Sequence, residues 1–260
     1  MSTVNSSLGI PMTQGQYAQQ WTMDAEHISS CGHYNWMRDQ IGEQSLVVEI
    51  GCGSGMSTLA LAKKSKVLCV ESNENLVDIC KAYLVSNGVS VEVVEVGRLS
   101  EAKSQVVIIK HDLFDTSIDT EIAGLSPTAI VCWLIGAAPE TIAKKLGKEL
   151  VNFTGAEMPE YRADVHKRTY ELGRKTLSSG GLVQIVDRIG IESWNEKTEL
   201  RLSLSELHSE LAGDEYFHTA SGVFLRKAPQ GFSRSQIQML SQGQSSEVIP
   251  AIASIKSSLK

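Results

Sequence analysis

Leu46 to Leu61 reads LVVEIGCGSGMSTLAL, and the rest of the chain is organised around it. Apolar and β-branched residues lead to Glu49 and Ile50. Three glycines follow at alternate positions, Gly51, Gly53 and Gly55, and small residues (Ser54, Ser57, Thr58) then open a helix-forming run. This is a buried strand that breaks at glycines and resumes as a helix. Glycine lets a backbone turn tightly and lets a ligand approach with no Cβ in the way. The free N–H groups of the helix start point into the same space, at the carboxyl end of a strand, where open α/β sheets hold nucleotide-like ligands. The spacing narrows the ligand. A dinucleotide fingerprint, G-x-G-x-x-G, would put its third glycine on Met56, and a P-loop would need a lysine that is absent here. The pattern is instead E-x-G-x-G-x-G.

A chain of 260 residues can bury a full core and suits one large α/β domain with additions. The hydrophobic fraction of 42% and charged fraction of 21% are ordinary for a globular protein. The net charge of −6 lacks the basic footprint expected of a nucleic-acid binder. No apolar run approaches the roughly 18 residues of a membrane span. The N-terminus lacks the basic start and apolar core of a secretory signal. The five cysteines, Cys31, Cys52, Cys69, Cys80 and Cys132, form no CxxC pair and read as reduced core thiols of a cytoplasmic protein.

The chain then divides in order. Residues 1 to about 15 are rich in Ser, Thr, Gln and Gly and read as mobile. From Tyr17 to Ile41 the aromatics Tyr17, Trp21, Tyr34 and Trp36 alternate with His27 and His33, and Asp24 can open a helix through Ile28. After the first strand and its helix, Lys66 to Val70 is a second strand ending in Glu71. That acid lies 20 residues after Gly51, where a carboxylate with Ser72 beside it can meet both ribose hydroxyls of an adenosine. Asn73 to Asn87 has helical apolar spacing. VSVEVVEV alternates as a strand, and Val106 to Ile109 reads as a further buried strand closely followed by Asp112. An inserted hairpin over residues 89 to 109 reconciles the two. Thr128 to Ile135 is apolar throughout, as a strand buried on both faces should be, and ends at Gly136-Ala137-Ala138-Pro139. Helices are expected over Pro139 to Leu150 and Glu160 to Leu177, a fifth strand over Leu182 to Val186, and a helix over Trp194 to Leu211. Tyr216 to Lys227 supplies closing antiparallel strands that turn at Ser221-Gly222. The last thirty residues or so read as a short helix and tail.

VVEIGCGSGMSTL resembles motif I of the class I S-adenosylmethionine (SAM) dependent methyltransferases, and the resemblance covers residues 45 to 228. It implies a three-layer, doubly wound, mostly parallel seven-stranded α/β sheet, with a reversed strand near the edge and an N-terminal helical cap. The division that follows is a flexible segment and cap over 1–44, a SAM-binding domain over 45–228 with 137–178 as substrate-side helices, and a C-terminal helix and tail over 229–260. The resemblance assigns SAM as cofactor and S-adenosylhomocysteine as product. It carries cofactor contacts onto Glu49, Gly51, Cys52, Gly53, Gly55, Glu71 and Ser72, onto Asp112 and Leu113 for the adenine, and onto Trp133 beside the methionine part. The acceptor is expected among Tyr17, Trp21 and Tyr34 of the cap and Tyr161 and Arg162 of the later helix.

Methyl transfer is a displacement in which the cofactor brings the activation. The protein holds the nucleophile in line and excludes water. A hydroxyl or carbon acceptor also needs a base, and His27, His33 and His166 have that chemistry. The family's Asn/Asp-Pro-Pro-aromatic box is absent at WLIGAAPE, as is the strand-end aspartate of metal-dependent catechol-type enzymes, so no catalytic metal is expected. The function implied is a small-molecule methyltransferase, with no membrane or nucleic-acid partner. A protein or RNA methyltransferase, a nucleotide-dependent oxidoreductase and a binding-only protein of this fold are the alternatives.

Overall fold

The computed structural model of the chain describes residues 12–150, 153, 157–231 and 248–260. Helix α1 (Gln14–Ser30) starts at Thr13, whose hydroxyl accepts from the Gln16 N–H while the Gln16 side chain accepts from the Thr13 N–H. A left-handed Gly32 separates it from α2 (His33–Ile41). Asp24 therefore lies inside α1 and does not start it, because the capping pair Thr13 and Gln16 fixes the helix start. The expectation of mobility for the first residues falls, for 1–11, outside the described residues.

The core alternates strands and helices. Strand β1 (Leu46–Ile50) leads into α3 (Met56–Ala62), β2 (Lys66–Glu71) into α4 (Glu74–Ser86), and β3 (Val91–Val94) and β4 (Val106–Lys110) precede α5 (Asp119–Gly124). Strand β5 (Ala129–Trp133), α6 (Pro139–Lys145), α7 (Met158–Thr176), β6 (Leu182–Ile191) and α8 (Lys197–Ala212) follow. Three further strands close the sheet, β7 (Tyr216–Phe217), β8 (Val223–Lys227) and β9 (Ile249–Leu259). Among the described residues no helix is long and apolar enough to cross a membrane.

The nine strands form one sheet in the order β3-β4-β2-β1-β5-β6-β9-β7, with β8 also on β9. Strands β1 to β6 run parallel to their neighbours. Strands β7 and β8 run antiparallel to β9, as does β6. The reversal of strand order beside β1 places the carboxyl ends of β1 and β5 at the topological switch point. One apolar layer packs under α1 to α4 with Met37, Leu61 and Val131 at its centre; the other packs under α5 to α8 with Ile130, Tyr170 and Ile185.

The doubly wound, mostly parallel sheet stands as expected, but three details change. Among the described residues the sheet has nine strands and not seven. Residues 89 to 109 make no hairpin, because β3 and β4 pair in parallel, Val91 opposite Val106; the short helical turn at Leu99–Glu101 carries the chain back to the start of the sheet. The expected C-terminal tail is a strand where it is described, because Ile249–Leu259 enters the sheet between β6 and the pair β7/β8, and the short helix expected before it falls, for 232–247, outside the described residues. Ala251, Ala253 and Ser254 are fully buried there. Small residues that suit a helix locally are recruited by neighbours on both edges, and the sheet thereby extends past residue 228. For the same reason β7 and β8 do not pair with each other.

Candidate functional site

The glycine turn needs its glycines. Gly51, Gly53 and Gly55 have φ of 73°, 52° and 87°, a region that side chains with a Cβ rarely enter. A Cβ on Gly51 would stand 2.6 Å from Ile135 Cδ1, and one on Gly53 would strike the Trp21 indole nitrogen. The turn is fixed from outside by the Gly51 N–H donating to the Val70 carbonyl at 2.9 Å. Beneath it, the Thr58 hydroxyl donates to Glu49 Oε2 at 2.6 Å, and burial lifts the Glu49 carboxyl to about 7. Cys52 turns away from the cleft, where hydrogen bonding to Cys69 and Cys80, with burial, holds its thiol well up. Glu49 and Cys52 thus lie under the turn; Gly51 and Gly53 line the pocket, close against Ile135 and Trp21.

Next to the turn, β2 ends in Glu71, which is 7% exposed. Its Oε2 accepts from the Gly53 N–H at 3.2 Å and its Oε1 from the Asn73 N–H at 2.9 Å. Burial raises its carboxyl above the usual range, and these N–H groups oppose the rise. A cleft runs over the strand ends past Glu71. Ser72, Asp112 and Leu113 line one end of it, and Gly51 and Ile135–Ala138 line the other. Asp112 accepts from the Phe114 N–H at 3.0 Å, which braces the loop after β4.

Helix α1 roofs the cleft. Tyr17 lines it, with its hydroxyl oxygen 2.8 Å from where a Cβ on Gly136 would sit. Beyond Tyr17 the space continues as a smaller pocket among Trp21, Gly53, Trp133 and Leu134. The Trp133 ring is locked by its N–H donating to Gln184 at 2.8 Å and by Tyr34 stacked at 6.5 Å. Leu134 has φ 56°, a strained setting for a non-glycine residue that costs about 1–3 kcal/mol. It is held by its N–H donating to the Val186 carbonyl at 2.7 Å. This strain at the strand end turns the chain so that Ile135 and Gly136 face both pockets.

The remaining sequence candidates scatter. Tyr161 lines the main cleft from α7, against Phe114. Arg162, on the same helix, turns to Asp187 at 2.7 Å. Tyr34 lies behind Trp133 and does not line either pocket. His27 sits against the Gly231 carbonyl at 3.3 Å. His33 is buried with neither ring nitrogen hydrogen-bonded, and burial lowers it to about 4. His166, also lowered to about 4 by burial, stacks near His208 at 5.7 Å. The three histidines are not brought together, and none lines the cleft. The sequence reading missed Asn73, Leu76, Phe114, Thr141 and Val165 in the lining. Leu76 and Val165 have core spacing on their helices, and nothing in their pattern separates a pocket wall from a core face.

No protein-family model and no characterised protein sequence matches the chain. Solved structures do. A candidate SAM-dependent methyltransferase from Streptococcus mutans superposes with a TM-score of 0.50 at 12% identity over 86% of this chain and 47% of that one, so this chain spans about half its length. A candidate methyltransferase complexed with S-adenosylhomocysteine matches with a TM-score of 0.48 at 11% identity, covering 88% of this chain and 49% of the other. A candidate RNA methyltransferase from Pyrococcus horikoshii matches with a TM-score of 0.45 at 12% identity, covering 99% and 90%. The fold is that of the class I SAM-dependent methyltransferases.

Proposed function

We propose that the chain is a SAM-dependent methyltransferase that acts on a small-molecule acceptor. One observation carries the reading. A single cleft joins a buried carboxylate, Glu71, to a glycine turn that a Cβ would close and to the loop of Asp112 and Leu113. Those residues fit the cofactor's parts. Glu71 meets the ribose diol, with Ser72 beside it. The Asp112 side chain and the Leu113 N–H meet the adenine edge. Gly51, Gly53 and Trp133 border the methionine part. Glu49 and Gly55 act one layer down, by shaping the turn.

The cofactor supplies the electrophilic methyl group on its sulfonium. This chain's residues supply position and dryness. Tyr17 and Trp21 close the roof, Trp133 gives a rigid wall, and Gly136 leaves room beside the Tyr17 hydroxyl. Burial raises the Tyr17 hydroxyl far above its ordinary value, so it stays neutral and orients an acceptor by hydrogen bonding. Held geometry of this kind accounts for much of the rate of a displacement. The cover that α1 lays over the cleft supports a small acceptor over a folded macromolecule. The unpaired thiols of all five cysteines fit a cytoplasmic setting.

Calorimetric titration with S-adenosylhomocysteine, NAD and NADP in parallel tests the reading. Micromolar binding of S-adenosylhomocysteine alone is expected. Binding of a dinucleotide instead, or of none of the three, overturns it.

A further inference from the structure

Arg188 stands at the carboxyl end of β6, on the sheet face that α1 covers. It is 9% exposed. Its Nη1 lies 3.7 Å from Asp24 Oδ2, longer than a good hydrogen bond, and its Nη2 is buried with no hydrogen-bond partner. Two other interior arginines, Arg162 and Arg168, also leave one nitrogen unmet, Nε and Nη1, but each has a close ion pair where Arg188 has only the long one. Arg168 donates to the Leu113 carbonyl at 2.9 Å and to Asp119 at 2.5 Å, and Arg162 donates to Asp187 at 2.7 Å. A guanidinium taken from water with a donor unmet is costly, and such a group in a native structure asks for a missing partner.

The position of Arg188 says where that partner comes from. Its guanidinium carbon lies 5.3 Å from the centre of the Trp21 ring. The nitrogen edge of the same indole rests against Gly53 in the smaller pocket. One side chain therefore separates the unmet cation from the glycine turn. The charge also reaches the cleft, because Arg188 counters the upward push of burial on the Tyr17 hydroxyl that lines it. A planar guanidinium pairs best with a carboxylate, through two parallel hydrogen bonds.

We propose that Arg188 is the carboxylate-binding residue of this site, reached when the Trp21 indole swings from over Gly53, with Asp24 as its resident counter-ion until a ligand arrives. The proposal rests on reading the cleft as the methyl-transfer site. The carboxylate belongs either to the methionine part of the cofactor or to the acceptor, and the two sources are separable.

The experiment compares the full-length protein with R188Q, D24N and the double variant D24N/R188Q, which removes both charges together if R188Q alone misfolds. Each is titrated with S-adenosylhomocysteine, with 5′-methylthioadenosine, which lacks the amino-acid part, and with benzoate. Benzoate is read on the free and the S-adenosylhomocysteine-loaded protein, with benzamide as the neutral control. If the carboxylate is the cofactor's, loss of Arg188 weakens S-adenosylhomocysteine about tenfold or more and leaves 5′-methylthioadenosine alone, and D24N tightens it. If it is the acceptor's, S-adenosylhomocysteine is unmoved, and benzoate binding is lost without Arg188 and tightened by D24N. Equal weakening of both nucleosides marks a structural role and overturns the proposal. So does unchanged binding of every probe, or benzoate that fails to bind while S-adenosylhomocysteine is unmoved. If the unaltered protein binds neither nucleoside, the cofactor assignment fails by itself. Benzoate on the free protein then decides Arg188: binding that R188Q removes supports it, and no binding overturns it.

Discussion

At the scale of single residues, two buried carboxylates under one turn take different parts. Glu71 faces the cleft and holds the Gly53 and Asn73 N–H groups. On the proposed reading, its replacement by Ala removes the acceptor for the ribose diol, and it frees the Gly53 and Asn73 N–H groups. Affinity for S-adenosylhomocysteine should fall about tenfold to a hundredfold, the worth of a hydrogen bond to a charged group. Unchanged affinity in a calorimetric titration would take Glu71 out of the site. Glu49 faces inward, and burial raises its carboxyl from 4.5 to about 7. A carboxyl raised on folding contributes stability that is complete below pH 4.5 and is lost as pH rises through about 7. That loss is on the order of 3 kcal/mol. Glu49→Gln keeps an acceptor for the Thr58 hydroxyl and deletes the titration. The variant should therefore be the more stable of the two at pH 8 and differ little at pH 5. Urea midpoints at the two pH values measure it, and parallel pH profiles for the two proteins would refute it.

At the scale of elements, the seam of α7, α8 and β9 is built from neutral imidazoles. His166 and His208 stand 5.7 Å apart, and Tyr170 lies 3.0 Å from His208 Nδ1. Burial pulls His166 to about 4 and His208 to about 3. A base lowered on folding contributes stability that is present above its ordinary 6.5 and is lost as pH falls through the lowered value. Between pH 6.5 and 4 the seam should loosen before the parallel strands do. Hydrogen exchange resolved by residue checks this: amides of α7 and α8 should speed up with acid while those of β1 and β5 hold. His166→Gln should flatten that dependence. The closing strand gives the second prediction at this scale. Ala253 of β9 lies opposite Asp187 on one side and Leu225 on the other. Proline there removes a donor from a strand paired on both edges, so Ala253→Pro should cost more than the roughly 0.5–3 kcal/mol of an ordinary substitution. A melting temperature within a few degrees of the parent would contradict the central placing of β9.

At the scale of the whole molecule, cofactor binding and folding are linked. At one hundred times its dissociation constant, S-adenosylhomocysteine should add about 2.7 kcal/mol of stability. For a chain of this size that corresponds to about 5–10 °C in melting temperature. NAD should give no shift; a shift with NAD alone would reverse the assignment. This scale also shows what the residues reveal in advance. Strand β1, the glycine turn and the place of Glu71 at the end of β2 were legible because each obeys a local rule of burial, backbone freedom or spacing, whereas Asp112 was named through the family resemblance alone. Strand β9 was not, because Ala251, Ala253 and Ser254 become strand only through partners far away in sequence. The backbone strain at Leu134 has no local signature. Neither does Arg188, whose charge looks like any exposed strand-end arginine until α1 is laid over it. The role of Trp21 was visible as an aromatic anchor, and its seat against Gly53 was not.

The placing of β9 also bears on how the protein is made. Among the described residues before Ile249, β6 and β8 are present but no strand lies between them. While the chain emerges in order, β6 presents a bare edge to its surroundings, from Leu182 to Ile191, that only Ile249 to Leu259 will cover. An open edge of ten residues is a template for pairing with another chain. The nascent protein is thus most open to wrong association just before its sheet closes, and whatever shields that edge during synthesis sets the yield of folded molecules.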